Sequence, residues 1–334
     1  MATHEHSGGH THDHGSHTHG TVDASLLTTE RGIWAVKWSL IGLGVTALFQ
    51  VVIVIYTGSV ALLADTIHNF GDAATAIPLW IAFSLAKRPA TKRFTYGYGR
   101  VEDIAGIAVV LTILASAIVA AVQSVERLLN PQPMEHVWVV AAAAIIGFFG
   151  NEAVALFRIR VGREINSAAL IADGYHARAD GFTSLGVLAG AVGVALGFPL
   201  ADPIAGLLIT VSILRIVWDS GKAVLTRVAD GVDPQVVDEI VHTLGHIPGV
   251  EHIDDVRVRW TGHRLRAEVA VAVDPALSVG EGHTKAVEAR HELLHALPYL
   301  SDATVHVDPS ELAGGEHHRV EEHEHGSLPP HAHP

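Results

Sequence analysis

The chain has 334 residues, of which 49% are hydrophobic and only 17% charged, with a mean hydropathy of +0.32 and a formal net charge of −13. That is too apolar for an ordinary soluble domain and too interrupted for a single buried core. Cysteine is absent, which excludes disulfides, thiolate metal ligands and CxxC motifs, so any bound metal must be held by nitrogen and oxygen. No concentrated basic stripe exists, which argues against a nucleic-acid partner.

In chain order, residues 1–30 are low-complexity and His-rich, with almost nothing apolar to bury and no apolar core of a secretory signal, so disorder is expected. Six apolar segments follow near 33–56, 60–86, 104–128, 137–158, 167–196 and 201–219, each close to the ~20 residues that span a bilayer. Residues 31–222 therefore read as a six-helix transmembrane bundle. Lys and Arg gather in alternate loops: Lys87, Arg88, Lys92, Arg93 and Arg100 after the second segment, Arg158, Arg160 and Arg163 after the fourth, Lys222 and Arg227 after the sixth. The positive-inside rule places both termini in the cytoplasm of an inner or plasma membrane protein.

Residues 223–312 change character. Helical periodicity at 234–246 and 280–297 and strand patterns at 250–260, 264–273 and 302–308 give the order αββαβ, a small α+β (ferredoxin-like) domain with helices on one face of a mixed sheet. Residues 313–334 are again His-rich, with disorder expected.

Within the apolar segments two stretches nearly repeat: Ala64-Asp65-x-x-His68-x-x-x-Asp72-x-x-Thr75 and Ala172-Asp173-x-x-His176-x-x-x-Asp180-x-x-Thr183. On a helix, Asp65, His68 and Asp72 share one stripe, as do Asp173, His176 and Asp180. A charged Asp at mid-bilayer costs on the order of 2.5–3.5 kcal/mol, so four sum to roughly 10 kcal/mol if all are charged and central. A functional reading is the default at that cost. Two His and two Asp facing one another form a tetrahedral site for a divalent metal, zinc first. The structural alternative is hydrogen bonding between helices.

These residues, with Ser59-x-Ala61-Leu62, Asn69, Tyr96-Gly97-x-Gly99-Arg100-x-Glu102 and His306-x-Asp308-Pro309, resemble the cation diffusion facilitator family over roughly residues 33–310. The paired HxxxD motifs resemble its zinc-type members. The resemblance implies His68, Asp72, His176 and Asp180 as transport-site ligands, export of Zn²⁺ from the cytoplasm in exchange for protons, a homodimer, and alternating access by helix rocking. No resident cofactor is implied; Zn²⁺ enters as cargo and as a regulatory ion. Asp65, Asp173 and Asn69 are read as groups orienting the ligands or lining the pathway. Phe94 and Tyr98 stand where some members carry a second metal site, which is therefore expected to be missing. His283, His306 and Asp308 match the family's site in the cytoplasmic domain, altered by Asp254 and Ala270 at two ligand positions and completed by Asp254 or His263. The analogy also pairs Arg100 with Asp230 across the two domains.

Asn151 and Glu152 are further polar groups at membrane depth, read equally as pathway or packing. His291-Glu292-Leu293-Leu294-His295 fits the zinc-protease pattern H-E-x-x-H. In a His-rich chain that match arises by chance, and the chain is read as a transporter rather than an enzyme. Cd²⁺, Co²⁺, Ni²⁺ and Fe²⁺ remain alternative cargoes, because a His and Asp donor set separates them weakly from Zn²⁺.

Overall fold

The computed structural model describes residues 24–57, 76–130, 137–198, 200–312, 320–323 and 331–333. The apolar segments form α1 (Ala24–Thr57), α2 described over Ala76–Ala86, α3 (Arg100–Leu129), α4 (Val137–Glu164), α5 (Ala168–Ala195) and α6 (Ala201–Val228). The expected tail and first span divide differently: α1 begins at Ala24, inside the stretch 1–30 expected to be disordered. At the other end α6 runs past the expected limit at 222 to Val228. A hydropathy window marks only the part in lipid, whereas a helix continues until something breaks it.

α1 over Leu27–Phe49, α3, α4 and α6 are long and apolar enough to cross a membrane. α5 is 28 residues long, about 42 Å at 1.5 Å per residue, which exceeds the ~30 Å hydrocarbon core. Asp173, His176, Arg178 and Asp180 lower its apolarity. Position offsets this: α5 packs against α3, α4 and α6, and its polar stripe is buried among them. Glycines permit the close approach. A Cβ on Gly174 would lie 2.9 Å from the backbone nitrogen of Ile159, and one on Gly162 would lie 3.0 Å from that of Ile171.

Two helix ends are made by non-glycine residues in the left-handed region. Asn166 (φ 55°) ends α4 and Asp230 (φ 60°) ends α6. In each case the next amide reaches back to close the last turn, Ser167 N–H to Gly162 O at 2.8 Å and Gly231 N–H to Thr226 O at 2.7 Å. Asn and Asp tolerate this conformation better than other L residues. Both are also held by an arginine: Arg227 donates to the carbonyl and side-chain oxygens of Asn166 at 2.7 Å, and Arg100 donates to the Asp230 carboxylate. The Arg100–Asp230 pair expected from the sequence is thus present.

The C-terminal domain follows the expected order: α7 (Pro234–Gly245), β1 (Val250–Thr261), β2 (Arg264–Val273), α8 (Val279–Ala296) and β3 (Leu300–Pro309). The sheet order is β1-β2-β3, antiparallel then parallel. Asp233 caps α7 ahead of Pro234, and Ser278 with Glu281 forms a capping box on α8. Ile240, Leu244, Ala289 and Leu293 from the helices close over Val269 and Val271 of β2. In β1 the inward residues change parity between Ile253 and Val256, and the ladder shows a register shift between Ile253 and Asp255. One extra residue flips the alternation, as a β-bulge does.

The starts of α1 and α3 and the end of α6 meet the β1–β2 turn through Thr29, Glu102 and Arg227, and the start of α5 joins them through Ser167, which donates to Glu102. The beginning of α1 and the C-terminal domain therefore lie on the same side of the bundle. The described parts of the C-terminal tail pair as a two-stranded antiparallel ribbon, β4 (Val320–His323) with β5 (His331–His333), where disorder was expected. The expectation for residues 1–23 lies outside the described residues.

Candidate metal centre

Asp65, His68, Asn69 and Asp72 lie outside the described residues, so the structure bears on the α5 half of the repeat. Asp173, His176 and Asp180 are 0%, 1% and 5% exposed. His176 Nδ1 lies 3.8 Å from an Asp180 carboxylate oxygen, one turn along the same face. Two neighbouring donors of this kind, buried in an apolar bundle, are the chemistry a divalent cation recognises.

Asp173 has a different partner. Its carboxylate lies 3.0 Å from Arg158 Nη1, with both side chains buried, and Arg158 Nε donates to Ser39 Oγ at 2.9 Å. Arg158, expected among the loop cations, sits inside α4, 1% exposed, and links α1, α4 and α5. Asp173 is thus charge-compensated by α4. Glu152 pairs bidentately with Arg178 of α5 at 2.6 and 3.1 Å, half-buried, and is a helix-to-helix tie. Asn151 is buried, its Cβ 3.5 Å from where a Cβ on Gly181 would stand, next to Asp180.

In the C-terminal domain the candidates separate. His306 Nε2 lies 3.0 Å from Asp308 on β3, and His283 is exposed on α8, where Gly282 neighbours Val307 between them. Asp254 stands at the β1 bulge with His252 Nε2 3.5 Å away. The β2 strand lies between these two pairs, so they are roughly 9–10 Å apart by strand spacing. His252 is not among the expected ligands, although residues two apart on a strand share a face. His263, expected as an alternative ligand, is 3% exposed at the domain junction, where Glu102 and Thr29 engage its two ring nitrogens at 2.6 and 3.1 Å. That reading of His263 is corrected: neither nitrogen faces Asp254 or His306.

Phe94 and Tyr98 stack with centroids 4.8 Å apart. His291 and His295 stack at 4.4 Å on an exposed face of α8 beside exposed Glu292. Among the described residues no group of three or more His, Asp or Glu gathers at metal-binding distance, so no third ligand joins that pair.

Residues 36–226 match the family model of the cation efflux transmembrane domain, and residues 232–310 that of the cation efflux protein cytoplasmic domain. The chain belongs to the cation efflux family, also called the cation diffusion facilitators, and is an integral membrane protein that moves metal cations. A probable cation efflux system protein of Mycobacterium tuberculosis is 57% identical over 291 residues, covering 87% of this chain and 88% of the relative. The magnetosome protein MamB of Magnetospirillum gryphiswaldense is 27% identical over 80% of this chain and 90% of its own. A manganese form of the MamM CTD is similar among solved structures, 22% identical, covering 23% of this chain and 96% of that one at a TM-score of 0.22.

Proposed function

We propose that this chain exports Zn²⁺ from the cytoplasm in exchange for protons. It does so as a homodimer in the inner or plasma membrane, with both termini cytoplasmic, by alternating access around His68, Asp72, His176 and Asp180. The observation that carries this reading is the burial of His176 beside Asp180 on α5, one turn apart on the same face with Nδ1 and the carboxylate 3.8 Å apart. Asp173 is compensated by Arg158, so a site of two neutral imidazoles and two carboxylates is itself neutral with one divalent ion bound. Loading needs unprotonated His and Asp, which releases protons; protonation from the far side helps expel the metal. Homodimerisation of the cytoplasmic domain belongs to the same proposal; His283, His306 and Asp308 do not gather at metal-binding distance within one chain, so Zn²⁺ held there draws donors from the second copy as well.

The test is Zn²⁺ uptake into proteoliposomes holding a zinc dye, driven by an imposed pH gradient. Gradient-dependent uptake is expected in the wild type and its loss in Asp180→Ala. Equal uptake in both would overturn the assignment of the site. Running Cd²⁺, Co²⁺, Ni²⁺ and Fe²⁺ in parallel identifies the cargo.

A further inference from the structure

The loop between α2 and α3 concentrates positive charge in a chain that is acidic as a whole. Residues 87–100 hold Lys87, Arg88, Lys92, Arg93 and Arg100 and no carboxylate, against a formal net charge of −13. Every residue from Lys87 to Tyr96 is exposed. Lys87 pairs with Glu30 at 2.9 Å and Arg100 pairs with Asp230. Among the described residues Arg88, Lys92 and Arg93 meet no carboxylate.

Hydrogen bonds give the loop a definite shape. Thr91 and Phe94 exchange backbone hydrogen bonds at 3.1 Å in each direction, and Gly97, at φ +79°, returns its N–H to Phe94 O at 3.0 Å. Lys92 and Arg93 occupy the two central positions of that closed turn. Phe94 and Tyr96 follow them, 45% and 57% exposed. The Arg93 guanidinium lies 5.8 Å from the Phe94 ring centroid, while Arg259 and Arg266 lie 4.8 and 5.3 Å from that of Tyr96.

The charged patch begins where the lipid-facing surface of α2 ends. Ile77, Trp80 and Ile81 are exposed, and the helix closes at Ala86, directly before Lys87 and Arg88. The Lys87–Glu30 pair sets this end of α2 level with the early turns of α1, where the Arg31 guanidinium lies 4.4 Å from the Trp34 ring centroid. Cations beside aromatic rings at the end of an apolar helix mark the headgroup level of a bilayer. A surface with cations above and an apolar wall below fits an amphiphile with an anionic head. A soluble acidic peptide would satisfy the cations and leave the apolar wall unmatched. Guanidinium groups also match the oxygens of a phosphate bidentately.

We propose that Arg88, Lys92 and Arg93 form a site for the phosphate headgroup of an anionic phospholipid, whose acyl chains lie against Ile77, Trp80 and Ile81 of α2. Phe94 lies at the headgroup level beside it. The proposal rests on the membrane placement of the bundle and is independent of which cation is carried.

The test is native mass spectrometry of the full chain, released from detergent containing equal amounts of phosphatidylglycerol and phosphatidylcholine. The wild type is expected to retain phosphatidylglycerol over phosphatidylcholine by about tenfold or more, and the combined variant Arg88→Gln, Lys92→Gln, Arg93→Gln by no more than about twofold. Removing the same charge from the C-terminal domain, with Arg257→Gln, Lys285→Gln and Arg290→Gln together, should leave the preference intact. Excess inorganic phosphate should not displace the lipid, because it offers nothing to the apolar wall. In nanodiscs, hydrogen exchange at residues 91–97 should be slower in phosphatidylglycerol than in phosphatidylcholine for the wild type, and equal in the two lipids for the loop variant. Equal retention of both lipids by the wild type, an equal loss in the C-terminal-domain variant, or exchange that ignores the lipid would overturn the proposal. Displacement by inorganic phosphate would overturn it too, making the patch a site for the free anion.

Discussion

At the residue scale, the bundle holds a buried ion pair that ties α1, α4 and α5 together. Arg158 and Asp173 are buried together, and removing one member of such a pair leaves an uncompensated charge at a cost of about 3–5 kcal/mol. Arg158→Met and Asp173→Leu should each lower the unfolding temperature sharply, whereas the double variant should recover most of the loss. Thermal unfolding in detergent, followed by fluorescence, measures both. Asp180→Ala should behave oppositely, abolishing flux with little loss of stability. Spacing alone exposed the Asp, His and Asp stripe on α5. It could not rank the two carboxylates, because the arginine that distinguishes them lies on another helix.

At the element scale, turns and caps carry the weight. Gly262→Ala places a Cβ in the left-handed region and against Glu102, so a loss of about 1–2 kcal/mol from conformation alone is expected, with the contact adding to it. Chemical denaturation should show this, with loosening at the β1–β2 turn. Glu281 behaves differently. Hydrogen bonds from the Ser278 hydroxyl and backbone amide stabilise its charged form and hold its carboxyl below the usual carboxylate range, although it is fully exposed. Because the folded state lowers this pKa, the capping box stabilises α8 above the ordinary value and fades as pH falls through the lowered one. Exchange at the first turn of α8 should therefore quicken in acid, and Ser278→Ala should weaken that pH dependence, leaving the part that the backbone amide supplies. The αββαβ order was legible because alternation and helical periodicity are local signals. The parity change in β1 was also written there, at Ile253 and Val256, but its meaning as a bulge needed the partner strand.

At the scale of the whole molecule, the exposed apolar surface of the bundle has one physical use. Trp218 and Leu208 on α6 and Phe149 on α4 are 69%, 66% and 66% exposed, which lipid covers. Trp260 is 6% exposed in the C-terminal domain. A variant retaining Trp218 alone should be strongly quenched by lipids brominated on their acyl chains, and one retaining Trp260 alone should keep its emission. Equal quenching would contradict the division of the chain into membrane and aqueous parts.

The amino-acid sequence by itself determined that division, the number and approximate position of the apolar segments, the small α+β domain and the polar stripe of α5. All follow from composition and period, which are properties of neighbouring residues. Tertiary structure decided which charges are spent on holding the bundle together and where the two domains grip. Arg158 joins Asp173 and Ser39, and His263 joins Glu102 and Thr29, across helices and turns remote in the chain. Burial makes those pairings obligatory, since a polar group removed from water must find its partner within the fold, and no local pattern records which partner that is.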